Sequence, residues 1–254
     1  MALNTSRPAA SLSRQALRHC RARPVVSSCA FATSAPRQVE AGAAVDAPRW
    51  ARTPERMKAP FSPHIIRDPS RSVWHVNEDP QKLDDALARF LGRGGGRMLP
   101  DELKWLAVTH KSFDQGRRGF NDRLAFLGRQ ICVLEATQSI LTSTANFVEP
   151  EADPYADRRE PIKSPALRNV DNLTQLQPSD LFTLEKVAKL ALDTGLTEVV
   201  RWKPRMPENI KGSGFEPVMA GAVYAIVGAV SLQHGGKVAS RVVRERVLSK
   251  LGGD

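Results

Sequence analysis

Apolar residues spaced three and four positions apart divide this chain into helical stretches separated by proline- and glycine-rich breaks. The first helix opens after Asn77-Glu78-Asp79-Pro80, an acidic cap followed by proline in the first turn. Leu83, Leu87, Phe90 and Leu91 then share one face, and Gly92 stops the run. Leu99-Pro100-Asp101-Glu102 repeats the start signal, and its helix carries Leu103, Trp105, Leu106 and Val108 into Thr109. A polar loop through Gln115-Gly116-Arg117-Arg118-Gly119 leads to residues 121–141, the predicted central helix. Across 145–172 the pattern fails, because Pro150, Pro154, Pro161 and Pro165 fall among charges; this reads as an irregular insertion. Helical spacing returns at 181–192 and 196–200, with Gly195 as a stop between them, and again at 218–232 and 237–251. The predicted fold class is all-α.

Three segments need separate treatment. The run Gly92-Arg93-Gly94-Gly95-Gly96-Arg97 shares only its glycines with a phosphate loop and lacks the Lys-Ser/Thr ending, so it is expected to be a flexible connector. Residues 217–236 carry no charge, but their roughly 16 clearly apolar or small positions fall short of a membrane span, which points to a buried core helix. Residues 36–77, rich in Pro, Arg and Ala with little periodicity, are expected to be an extended segment. Its Trp50, Phe61 and Trp74 would suit docking onto RNA or protein.

Charge changes the picture at the N-terminus. The net charge is +10, but residues 1–39 hold six arginines and no acid; without those six, 31 basic residues face 27 acidic ones. An Arg-, Ser- and Ala-rich start that is free of Asp and Glu and has no continuous apolar core fits a mitochondrial transit peptide over residues 1–35. The same composition also suits an unstructured basic tail that contacts RNA. Cys20 and Cys29 fall in that segment and only Cys132 lies in the domain, so no disulfide framework is expected. Neither the cysteines nor His19, His64, His75, His110 and His234 have zinc-ligand spacing.

Thr109-His110-Lys111-Ser112-Phe113 followed by Asn121-Asp122-Arg123-Leu124-Ala125-Phe126-Leu127-Gly128-Arg129-Gln130-Ile131 resembles the signature of the ribonuclease III family. That signature reads Thr-His-Arg/Lys-Ser-Tyr/Phe, then Asn-Glu-Arg-Leu-Glu-Phe-Leu-Gly-Asp-Ala-Val. Val187-Ala188 with Leu192 and Gly195-Leu196 resembles the family's next helix pair. Residues 219–236, with Gly228-Ala229-Val230 and Gly235-Gly236, resemble its second motif. The resemblance implies a ribonuclease III-type helical fold over 78–252. No double-stranded RNA-binding domain is expected after the last helix.

Active members of the family cut double-stranded RNA with magnesium held by carboxylates. The resemblance places the first two of those positions, four apart on one helix face, at Ala125 and Arg129, and the later two at Gly221 and Tyr224. None of these four residues carries an anionic oxygen, and Arg129 puts a cation where the metal would sit, so neither metal nor cofactor nor nuclease activity is expected. Asp122 keeps an acid at a less central position, whereas Glu135 points elsewhere around the helix and Glu216, before Pro217, is expected outside the last motif helix. The family's equivalent of Phe126 joins two copies of the domain, so Phe126 is a candidate partner contact; core packing fits the sequence equally well. The small residues Gly221, Ala222, Ala225, Gly228 and Ala229 permit a close helix approach, and Tyr224 is a candidate to fill the vacated metal position.

Phosphate contacts are expected from Arg117, Arg118, Arg158, Arg159, Lys163, Arg201, Lys203, Arg205 and Lys211, with Arg241, Arg244 and Arg246 as further candidates. Taken together, these features resemble the ribonuclease III-like proteins of the fungal mitochondrial large ribosomal subunit. That resemblance implies a matrix protein that binds rRNA, other large-subunit proteins and a second ribonuclease III-like protein, without catalysis. The alternative is a mitochondrial RNA-processing or ribosome-assembly subunit that works beside an active nuclease.

Overall fold

Asp79 accepts the Gln81 N–H at 2.8 Å on its side chain and so caps α1 (Pro80–Leu91), with Pro80 in the first turn where its missing N–H costs nothing. Leu83, Ala86, Leu87, Phe90 and Leu91 form the buried face, and Gly92 ends the helix at φ 98°. In the computed structural model, residues 48–53, 74–143 and 169–252 are described, with positions 154, 155, 158, 164 and 167. All of them belong to one unit, Asp46–Asp254. The transit-peptide segment 1–35, most of 36–77 and most of the 145–172 insertion lie outside the described residues.

The glycine run is not a flexible connector. It folds into α2 (Gly95–Met98), a single turn laid against α1. A Cβ on Gly95 would lie 2.7 Å from both the Leu87 carbonyl oxygen and the Leu91 Cβ, so Gly95 serves close packing, whereas Gly94 has open space and turns the chain at φ 84°. Next come α3 (Asp101–Ala107), the central α4 (Asp122–Thr142), and two single-turn helices, α5 (Asn172–Gln175) and α6 (Pro178–Leu181). The helix expected over 181–192 starts later, at α7 (Leu184–Asp193), because the Thr183 side chain accepts the Lys186 N–H and sets a new cap.

The expected helix at 196–200 is absent. Gly195 turns the chain at φ 72°, one 3-10 turn (Leu196–Glu198) follows, and the chain then runs out to a parallel bridge between Arg201 and Thr109. Val199, Val200 and Trp202 are all buried along this short run, and Pro204 prevents its continuation as a helix. α8 (Phe215–His234) begins three residues earlier than expected, so Glu216 lies in its first turn rather than outside it. The last helical run is α9 (Gly236–Val242), a π-helical turn (Val243–Leu248) and α10 (Ser249–Leu251).

Helix α8 is apolar on nearly every side and forms the axis of the core, with α4 and α7 as its main neighbours and α3 and α9 also against it. Among the described residues it is the one helix long and apolar enough to cross a membrane, and 67% of its apolar window is buried inside the domain. Such a helix is what a bundle core requires. Beside it, burial alone would lower the Lys104 pKa, but Asp101 at 2.8 Å and Asp84 at 2.9 Å outweigh that and hold it above its ordinary value.

Candidate functional site

The Thr-His-Lys-Ser-Phe motif works as a clasp. The Thr109 hydroxyl donates to the Trp105 carbonyl at 2.6 Å, while the Arg201 N–H donates to the Val108 carbonyl at 2.8 Å. The His110 N–H donates to the Arg201 carbonyl at 2.9 Å, and the Lys203 N–H to the Ser112 hydroxyl at 3.0 Å. The Asn121 side chain then donates to the Ala107 carbonyl at 3.1 Å and its N–H to the Thr109 carbonyl at 2.9 Å, fixing where α4 begins. The clasp therefore joins α3, the 199–203 segment and α4 by bonds that satisfy buried backbone groups. Burial and the Lys111 charge push the His110 pKa down, with Asp122 opposing, and its Nδ1 accepts the Ser112 N–H at 3.2 Å.

From this anchor α4 runs antiparallel to α8, with Leu124 against Gly228 and Gly128 against Tyr224. The four positions that the sequence resemblance assigns to metal ligands lie on these two helices. Ala125 is half-buried, Arg129 is exposed, Gly221 has open space where a Cβ would be, and Tyr224 is 6% exposed. Among the described residues, no three His, Cys, Asp or Glu side chains converge on a point that could hold a metal. The neighbouring acids are engaged elsewhere: Asp122 pairs with Lys111 at 3.3 Å, and the buried Glu135 with Arg244 at 2.5 Å. Gln138 also accepts from Arg244, at 2.8 Å, so this arginine braces α4 against the last helical run.

Tyr224 packs edge-to-face on Phe182, with ring centroids 6.2 Å apart. Burial pushes its pKa up to about 12, the neighbouring Cys132 adds to this, and Arg129 opposes it. Burial, with Glu135 adding, likewise pushes Cys132 to about 12. A group whose folded pKa is raised contributes stability that is full below its unfolded pKa and is lost as pH rises through the folded value. The domain should therefore lose stability from about pH 10 to about pH 12. In a denaturant titration over that range, Tyr224→Phe should lose less than the parent, leaving the Cys132 contribution. Equal losses would show that Tyr224 is not the group responsible.

The basic candidates separate by burial. Arg117, Arg158, Arg205 and Lys211 are exposed, whereas Arg159 and Lys163 lie outside the described residues. Arg201 and Lys203 must be removed from the set of phosphate contacts, being 0% and 3% exposed. Arg201 lies 3.7 Å above the Trp105 ring, and its two terminal nitrogens donate to the Trp50 carbonyl at 2.8 Å and the Ala51 carbonyl at 2.7 Å. Burial, then the Arg118 charge, push it down to about 10 with Glu78 opposing, so it stays charged at neutral pH. Arg118 is half-buried over Phe113; it pairs with Asp114 at 3.3 Å and donates to the Arg52 carbonyl. Arg241 is exposed, while Arg246 lies against the Gly92 turn.

Two aromatic residues of the extension dock on this domain itself. Trp50 packs against the core, and Trp74 meets Trp202 edge-on with centroids 6.1 Å apart. The sequence offered these residues as anchors but gave no sign of the surface that receives them. Phe126 is 69% exposed and Leu134, two turns further along α4, is 65% exposed, so core packing does not account for Phe126.

The ribonuclease-III-like family profile matches residues 100–251. Large ribosomal subunit protein mL57 of Neurospora crassa is 49% identical over 258 residues, which cover 96% of each chain. Ribonuclease 3 of Mycobacterium leprae is 30% identical over 149 residues, 57% of this chain and 53% of that one. The crystal structure of the nuclease domain of ribonuclease III from Campylobacter jejuni superposes with a TM-score of 0.45 at 22% identity, covering 68% of this chain and 96% of that one. With its clasp intact and its family profile spanning α3 to α10, the chain belongs to the ribonuclease-III-like family.

Proposed function

We propose that this chain is a non-catalytic, structural protein of the mitochondrial large ribosomal subunit that binds rRNA and a partner protein. The observation that carries this reading is the 49% identity to a large ribosomal subunit protein over 96% of both chains, which takes in the N-terminal extension as well as the helical domain. The site agrees with it. Magnesium in the family is held by carboxylates, and Ala125, Arg129, Gly221 and Tyr224 offer none, so a divalent metal does not fit and no cleavage step runs through one. The retained Thr109, His110, Ser112 and Asn121 serve the clasp, and the retained Leu124 and Gly128 lie at the α4–α8 crossing, so these motif residues have a role in shaping the domain. Its place is the mitochondrial matrix, reached through the Arg-rich leader.

Arg117, Arg158, Arg205, Lys211 and Arg241 remain exposed candidates for rRNA phosphates, and the Phe126 and Leu134 face of α4 is the candidate seat for a second ribonuclease III-like protein. Sedimentation of gently lysed mitochondria at rising salt tests the assignment. The protein should stay stoichiometric with mature large subunits through a high-salt wash. Migration only with precursor particles or non-ribosomal RNA would replace the reading with processing or assembly. In a separate assay, duplex RNA with magnesium or manganese should remain intact, and metal-dependent cuts would overturn the non-catalytic part.

A further inference from the structure

Three consecutive carbonyl oxygens of the extension are held by two arginines of the domain. Arg201 donates to Trp50 and Ala51 at 2.8 and 2.7 Å, and Arg118 donates to Arg52. The segment itself is ordered by a 3-10 turn (Arg49–Ala51), in which the Ala51 N–H meets the Pro48 carbonyl at 2.9 Å, and Trp50 and Ala51 pack on the hydrophobic core. Arg201 is fully buried, and no ion pair among the described residues supplies it with a carboxylate. Its Nε already lacks a hydrogen-bond partner. The strap carbonyls are thus the acceptors for both terminal nitrogens of a buried cation, the kind of group that is costly to leave unpaired.

We infer that residues 48–53 are a permanent part of the mature domain, and that proteolytic removal of the N-terminal leader stops upstream of Pro48. This places a limit on a processing site that composition alone put near residue 35. The limit on processing rests on the mitochondrial reading above, whereas the strap does not.

A chain beginning at Pro48 should unfold at the same temperature as the full chain. One beginning at Pro54 should lose about 10 °C, because two charged donors become buried without partners. Replacing Arg201 with methionine removes those donors, so in Arg201→Met the same shortening should cost less than half as much. Equal losses in the two backgrounds, or no loss in either, would overturn the strap. If Arg201→Met does not fold, adding a peptide of residues 46–53 to the chain that begins at Pro54 decides the matter: recovery of the Tm supports the strap, and no recovery overturns it. Intact mass of the protein purified from mitochondria should give an N-terminus at or before residue 48; a start beyond Pro48 overturns the processing limit. Absence of the protein from mitochondria would overturn the functional reading instead, leaving the strap to the melting data.

Discussion

Gly128→Ala is expected to cost the domain about 3 kcal/mol or more, lowering its Tm by roughly 10 °C, with most of the protein lost to aggregation on expression. The reason is the crossing of α4 and α8. A methyl group on Gly128 would overlap the Tyr224 carbonyl oxygen and lie 2.8 Å from the Gly228 backbone nitrogen. On the other side, a methyl group on Gly228 would overlap the Leu124 carbonyl oxygen. These are backbone atoms within long helices, so no rotamer change relieves the overlap; one helix must move, and α8 is the axis of the core. Gly221, on the same helix but with open space at its Cβ, is the internal control: Gly221→Ala should be neutral or slightly stabilising, because alanine is the better helix former. Melting curves of the two variants side by side measure the difference, and similar curves would show that the crossing tolerates expansion.

Phe126→Asp should have the opposite profile, leaving the isolated domain intact and removing it from its assembly. At 69% exposure the ring contributes little to the fold, so the Tm should move by no more than the ordinary surface effect of about 0.5 kcal/mol. At a protein interface, a central aromatic anchor is worth about 2 kcal/mol or more, roughly a thirtyfold loss of affinity, and a buried carboxylate would add to that. Co-sedimentation with large subunits from mitochondria that express the variant gives the readout, with the Tm of the purified protein as companion. Full incorporation would remove α4 from the list of assembly contacts, and a large fall in Tm would mean that the ring supports the fold after all.

The helical fold was legible where one residue type decides the local structure. Asp79-Pro80, Gly92 and Gly195 punctuate the chain as read, and the small residues of α8 mark a close approach that Gly228 makes against Gly128. It was not legible where tertiary packing overrides local preference. The glycine run at 92–97 has the composition of a loose connector, yet α1 lies so near that only glycine fits at Gly95. Residues 196–200 carry helix-compatible spacing, but the chain leaves after one turn because Thr109 and Val108 recruit Arg201 into a bridge. The site was read through the resemblance at Ala125, Arg129, Gly221 and Tyr224, where no letter is a carboxylate. It was read poorly for charge, because Arg201 in a sequence is a surface cation until Trp105, Trp50 and Ala51 are known to surround it.

One pair of asparagines separates what must stay constant in this molecule from what is free to change. Asn169 donates to the Leu141 carbonyl at 2.8 Å, and Asn172 to the Ile140 carbonyl at 3.2 Å. The end of α4 is thus met by residues at the far end of the proline-rich insertion, so the two ends of that segment are tied to one spot. Lengthening a segment whose ends are already joined costs only about 0.6 kcal/mol per doubling. The insertion can therefore grow, shrink or be rewritten from one lineage to the next while the helices beneath keep their register, which leaves it the natural place for the protein to acquire new neighbours.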